Sequence, residues 1–318
     1  MFLGPAILTG QAILRGAVSH DDHMKISGTY PMLYAFFGEG GALRMDDFAP
    51  QIDAAVAAGA AGVACLGLGT EVHKLGLAER RGIVEAVIAL AAGRLPVCVT
   101  IADGNIPDMI DSARHAQASG AAWLILQPPR PPASGDDLIA FFASVAATTT
   151  LPCGIQNAPE FLGLGLSAAE LVELHRRQPG ICVVKAESTA AAVGRTIAVL
   201  DGRMAVFNGR AGLELTDNYR AGVAGMMPGI ETVDRQVAIG RAMQAGDHDL
   251  AESLYRDILP AVTFIMQGLG PFLTYGKLIA ALRLGLTPSE RRIPADLPTE
   301  QGLAWARRMA AALGPLPT

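Results

Sequence analysis

Aromatic residues are scarce, at 5% of 318 positions, and charged residues make up only 17%. The formal net charge is −5, and the 25 lysines and arginines are scattered, so the chain has no basic stripe to grip nucleic acid. No uncharged apolar run reaches the ~18 residues of a membrane span, because Gly, Arg or Asp interrupts each long candidate. Neither a nucleic-acid nor a membrane partner is expected, and a soluble, cytoplasmic protein is. Cysteine is scarce as well. Cys65, Cys98, Cys153 and Cys182 each fall in a separate apolar run without CxxC spacing, which suits reduced, buried small hydrophobes better than a metal site or disulfides.

The N-terminal segment lacks the basic start and small-residue cleavage site of a signal peptide. Residues 1–27 are expected to be a flexible leader extension, with Met24 as an alternative natural start. His20-Asp21-Asp22-His23 has metal-ligand residue types, but in such a segment a solvated linker is the expectation. Neither a metal nor an organic cofactor is expected.

The chain is rich instead in apolar residues (51%), with 36 glycines and 20 prolines, as in a compact enzyme with many tight turns. From Gly28 onward, short β-branched runs alternate with helical patterns at intervals of ~30 residues. Strands are expected at Tyr30 to Phe36, Gly62 to Leu66, Val97 to Thr100, Trp123 to Gln127, Pro152 to Gln156, Ile181 to Lys185, Met204 to Asn208 and Val223 to Met227. Between them lie amphipathic stretches such as Phe48 to Ala58, Ile106 to Ser119 and Ser167 to Gln178, the last opened by the capping box Ser167-Ala168-Ala169-Glu170. Eight regular units without a dinucleotide glycine fingerprint favour a (β/α)8 TIM barrel over an open sheet. The barrel is expected over residues 28–245. A C-terminal helical appendage follows over residues 246–318, with helices at His248 to Gln267, Pro271 to Leu284 and Pro298 to Leu313.

Ile181-Cys182-Val183-Val184-Lys185-Ala186-Glu187 organises the rest. A strand apolar on both faces belongs in a covered parallel sheet, and a charge at its carboxyl end sits where such sheets bind ligands. Desolvation disfavours the ammonium form of a buried lysine, leaving a neutral amine able to form a Schiff base with a carbonyl. Lys185 either does this chemistry or caps the strand and snorkels to solvent. After strand two, Gly67-Leu68-Gly69-Thr70-Glu71-Val72-His73-Lys74-Leu75 offers glycines and backbone N–H groups to cradle a substrate carboxylate, or forms an ordinary βα turn.

Lys185 and this loop, together with Gln156-Asn157-Ala158-Pro159 after strand five, resemble the dihydrodipicolinate synthase and N-acetylneuraminate lyase family of class I aldolases and dehydratases. The resemblance runs from Gly28 to the C-terminal helices. It implies a TIM barrel, a Schiff-base lysine at Lys185, a small 2-oxo-acid substrate bound at Gly67, Leu68, Gly69 and Thr70, and a homo-oligomer, dimer or tetramer. Independently of it, Asn208 and Gly209 after strand seven are placed to reach a substrate hydroxyl or carboxylate.

The departures narrow the expectation. The family's strand-five tyrosine is replaced by Gln156, which orients by hydrogen bonding but is no general acid or base near pH 7. The tyrosines after strand four give way to Pro128-Pro129-Arg130-Pro131-Pro132. Gln156 to Pro159, Lys185 to Glu187 and Gly222 to Met227 look like the branch containing L-2-keto-3-deoxyarabonate dehydratase, which implies dehydration of a 2-keto-3-deoxy sugar acid through an imine. Proton transfer then falls to a water held by Gln156, to the substrate carboxylate, to Glu187 or to His73. Glu187 is a base or, preferably, an ion-pair partner of the lysine; His73 is a helix-start surface histidine or a catalytic one. Thr100 is a candidate contact for a substrate hydroxyl, and Arg210 either pairs with a substrate carboxylate or serves at the surface. Two alternatives stay open: a pyruvate-dependent aldolase or synthase, and a binding protein that kept the barrel and lost the proton relay.

Overall fold

A computed structural model describes residues 26–129 and 135–318. The expected leader up to residue 25, Met24, the His20–His23 cluster and Arg130 to Pro132 lie outside the described residues. Eight parallel strands form one sheet: β1 (Gly28–Thr29), β2 (Val63–Cys65), β3 (Val97–Ile101), β4 (Trp123–Leu126), β5 (Cys153–Asn157), β6 (Ile181–Ala186), β7 (Ala205–Asn208) and β8 (Gly225–Met226). Their order is β1-β8-β7-β6-β5-β4-β3-β2. At its two ends, Leu33 N donates to Ala64 O and Ala64 N to Pro31 O, so the segment after β1 meets β2. The arrangement fits a (β/α)8 barrel.

Strand one is the correction. The apolar run Tyr30 to Phe36 was expected to be the strand, yet the paired residues are Gly28–Thr29, and within the run itself Met32 alone forms bridges, to Ala64 and Gly229. The run is apolar because it is buried throughout, while Pro31 has no N–H to give a ladder. Periodicity reports burial here rather than pairing.

Helix ends follow local chemistry. Phe48–Ala58 and Ile106–Ser119 stop at Gly59 (φ 74°) and Gly120 (φ 103°), left-handed positions that suit glycine. Ser167 Oγ accepts from Glu170 N at 3.3 Å, and Glu170 bonds back to Ser167 N at 2.7 Å, so Ala168–Arg177 opens on the expected capping box. After β8 come Val233–Gln244, His248–Ile265, Leu269–Arg283 and Glu300–Leu313, the third containing a π-helical turn at Phe272–Gly276. No single helix among the described residues is long and apolar enough to cross a membrane.

Inside the sheet a compact cluster forms around Tyr30, Cys98, Trp123, Val183 and Phe207. Trp123 packs on Tyr30 and Phe207 at ring separations of 5.4 and 5.7 Å. A Cβ on Gly225 would stand 2.4 Å from the Phe207 ring, so glycine there makes room for the aromatic plug. Val183 belongs to this cluster, and strand period two sends Lys185 to the same side, above a filled interior. The four cysteines are buried and form no disulfide. Burial pushes the thiols of Cys65 and Cys153 up to about 12 and that of Cys182 up to about 11, which holds them as neutral hydrophobes.

Candidate active site

Lys185 is the fifth residue of β6 and pairs in register with Gln156 on β5 and Phe207 on β7. It is 5% exposed. Its Nζ lies 2.5 Å from Glu187 Oε1. Two positions along the same edge carry the two charges to one side, and Glu187 is fixed there by its own N–H, which donates to Asn157 O at 3.0 Å. Gly209 backs this carboxylate: a Cβ on it would stand 2.9 Å from Glu187 Oε1.

A chain of amides aims at the pair. Gln127 Nε2 donates to Gln156 Oε1 at 2.8 Å, which leaves the Gln156 amide nitrogen to donate to Glu187 Oε1 at 3.3 Å. Gln127 and Gln156 are 8% and 2% exposed. Gln127 closes the expected fourth strand and has no role assigned from sequence. The available signal was a polar amide closing the apolar run Trp123 to Leu126. Gln127→Leu is expected to lower kcat roughly tenfold, the equivalent of one lost orienting hydrogen bond, and to cost about 1–3 kcal/mol of stability because it leaves Gln156 Oε1 buried without a donor. An unchanged kcat would show that the amide chain is idle.

Over Lys185 and Glu187 opens a cavity of about 50 Å³, walled by Met32, Leu68 and Gly69, by Arg210 and Met227, and by Leu269 and Phe272 of the C-terminal helices. The β2 loop is held in place from below. Thr70 Oγ1 donates to Leu33 O at 2.7 Å, and a Cβ on Gly67 would stand 2.4 Å from Met32 Cε. Asn208 is fully buried, donating to Ser188 O at 3.0 Å and to Asn218 Oδ1 at 2.7 Å, so its amide braces the β7 loop. Arg210 has a left-handed φ of 51° and lies 3.2 Å from Glu214 Oε2.

Of the expected site residues, Lys185, Glu187, Leu68, Gly69 and Arg210 line this cavity, with Gln156 bonded to Glu187 behind it. Gly67, Thr70, Asn208 and Gly209 support its walls. Thr100, on β3, is buried outside this cavity, and His73 faces a separate one farther out along the loop. Among the described residues, no group of three or more His, Cys, Asp or Glu could hold a metal ion.

Comparison with known proteins adds to this geometry. Residues 25–294 match the profile of the dihydrodipicolinate synthetase family. A 4-hydroxy-tetrahydrodipicolinate synthase of Rhizobium meliloti is 29% identical over 190 residues, 59% of this chain, and the chain spans 62% of that synthase's length. An L-2-keto-3-deoxyarabonate dehydratase of Azospirillum brasilense is 27% identical over 244 residues, covering 74% of this chain and 78% of the dehydratase. Among solved structures, YagE of Escherichia coli K12, a prophage protein in complex with pyruvate, superposes with a TM-score of 0.84 at 25% identity over 91% of this chain and 99% of its own.

Proposed function

Because the chain belongs to the dihydrodipicolinate synthetase family, we propose that it is a Schiff-base lyase of a 2-oxo acid, with Lys185 as nucleophile, and that it dehydrates a 2-keto-3-deoxy sugar acid. One observation carries this: a buried lysine at a strand's carboxyl end, 2.5 Å from a buried carboxylate, under a small cavity. The ammonium must lose a proton before it attacks, and Glu187 Oε1 stands ready to receive it. The amine bonds to C2, and the carbinolamine hydroxyl leaves as water with that proton, which regenerates the Glu187 carboxylate. The iminium acidifies C3. Glu187 then takes the C3 proton and delivers it to the C4 hydroxyl as the C4–O bond breaks. Hydrolysis of the imine consumes one water, so the net change is loss of one water.

Gln156 supports dehydration over aldol chemistry because it orients Glu187 without supplying a titratable hydroxyl. Residues 28–245 supply the catalytic barrel in this reading, and residues 246–318 an appendage that roofs the cavity. A cytoplasmic homo-oligomer belongs to the same proposal.

A pyruvate-dependent aldolase is the second reading, favoured by the cavity's volume. At about 50 Å³ the cavity is far smaller than the roughly 300–1,000 Å³ of sites for drug-sized ligands, which suits a three-carbon acid better than a sugar acid. Borohydride trapping with peptide mass spectrometry separates them. Against pyruvate, 2-keto-3-deoxyarabonate, 2-keto-3-deoxygluconate and N-acetylneuraminate, the expected adduct sits on Lys185, with the sugar acids giving the highest yield. An adduct from pyruvate alone selects the aldolase. No adduct from any of the four rejects the Schiff base.

A further inference from the structure

The β2 loop walls a second cavity with its outer half. Leu68 and Gly69 face Lys185, whereas Glu71, His73 and Lys74 face a space of about 600 Å³ against the C-terminal helices, and Leu269 stands in both walls. That volume is in the range of small-molecule sites.

Its floor is electrically unbalanced. The Glu71 carboxylate is shared by the ammonium groups of Lys74 and Lys277, and these three side chains are 4%, 5% and 6% exposed. Two cations on one carboxylate leave a unit of positive charge where burial makes uncompensated charge costly. Apart from Glu71, Lys277 donates to Ala35 O at 2.8 Å and lies 4.7 Å from the centre of the Phe37 ring, and its charged neighbours Lys74 and Arg44 are cations. Burial holds its ammonium below the ordinary lysine range, against the pull of Glu71.

The rim does not restore balance. Arg292 is engaged by Glu79 through two contacts of 2.8 Å. Arg291 and Arg307 form no ion pair among the described residues, although Glu290 and Asp296 lie on the same rim. The lining holds five Lys and Arg side chains against three acids, in a chain of net charge −5. Glu71 itself keeps a left-handed φ of 57°, a strained conformation of the kind found at ligand sites.

We propose that this outer cavity binds a small polyanion through carboxylate or phosphate oxygens, at a site separate from the Lys185 cavity. Lys74 and Lys277 hold the anion at the floor, and Arg291 and Arg307 close over it. Titration calorimetry of the full chain at low salt, with citrate in one arm and inorganic phosphate in the other, is expected to show saturable binding of one anion per chain. The stronger arm identifies the oxygen type. Lys277→Met leaves a neutral Lys74–Glu71 pair and should weaken binding tenfold or more. The paired surface changes Arg291→Gln and Arg307→Gln should do the same at unchanged melting temperature. Borohydride trapping of pyruvate on Lys185 should proceed with the outer cavity saturated. Absence of binding in both arms overturns the proposal, as does undiminished affinity in both variants. Anion binding that blocks trapping in simple competition also overturns it, by placing the anion at Lys185. Trapping is read separately, so failure of the Schiff-base chemistry is distinguishable from failure of the anion site.

Discussion

Lys185→Ala is expected to lower turnover of the sugar-acid substrate by on the order of 10³-fold or more and to abolish the borohydride adduct. The size follows from the mechanism: without the amine no iminium forms, and C3 of the substrate keeps the weak acidity of a carbon beside a ketone. The substitution has a structural cost as well, because it leaves the Glu187 carboxylate buried without its cation. Removing one partner of a buried pair costs about 3–5 kcal/mol. A loss of activity in Lys185→Ala alone would therefore be ambiguous. Lys185→Arg resolves it by keeping a cation against Glu187 while removing the nucleophile. The arginine variant should retain most of the stability and still lose the adduct and the turnover. Recovery of turnover in Lys185→Arg would show that the ion pair, not the imine, is what β6 provides, and the Schiff-base mechanism would fall.

Local features of the chain were legible because they are set by local chemistry. Phe48–Ala58 and Ile106–Ser119 could be delimited from residue types, since the glycine after each ends the helix by taking a left-handed conformation. The run Ile181 to Lys185 read as a covered parallel strand because it is apolar on both faces, and all of β6, Ile181–Ala186, is buried with Lys185 the one charge in it. Glu187 could be placed beside Lys185 because strand period needs only two residues of sequence.

What could not be read depends on pairs far apart in the chain. Strand one was misplaced because hydrophobicity marks the buried run Tyr30 to Phe36, while its short ladder with β8 at Gly28–Thr29 is a matter of register 197 residues away. Gln127 reaches Gln156 across 29 residues, and nothing in either segment announces an amide–amide bond. Lys277 meets Glu71 across 206 residues, inside what looked like an ordinary helical stretch. His73 drew attention by its residue type and lies beside a different cavity from Lys185, because the β2 loop turns outward between Gly69 and Glu71. A motif names the loop. Only the packing of the C-terminal helices decides which of its residues face inward.

Those helices also meet the barrel close to a buried acid, and this makes stability depend on pH. Glu231 follows β8 and is fully buried. The Tyr34 hydroxyl donates to Glu231 Oε2 at 2.9 Å, while Oε1 has no hydrogen-bond partner among the described residues. Arg283 is close but spends its guanidinium on Asp234, at 2.8 and 3.0 Å, and on the Glu231 backbone oxygen at 2.5 Å. Burial therefore pushes the Glu231 carboxyl up to about 7, with its own backbone N–H, the bond from Tyr34 and the charge of Arg283 opposing it only in part. A folded-state value above the unfolded one means that the folded chain binds the proton more tightly. The stabilisation is complete below the unfolded value near 4.5 and is lost as pH rises through about 7. The carboxyl then contributes a decline of about 3 kcal/mol between pH 5 and pH 8. Glu231→Gln keeps the shape and an acceptor for Tyr34 but cannot ionise. Urea unfolding at the two pH values should show the variant gaining about 3 kcal/mol on the natural chain as pH rises. A difference that stays constant from pH 5 to pH 8 would mean that the buried carboxylate ionises at no cost to the fold, and that Arg283, across the seam with the C-terminal helices, already neutralises it.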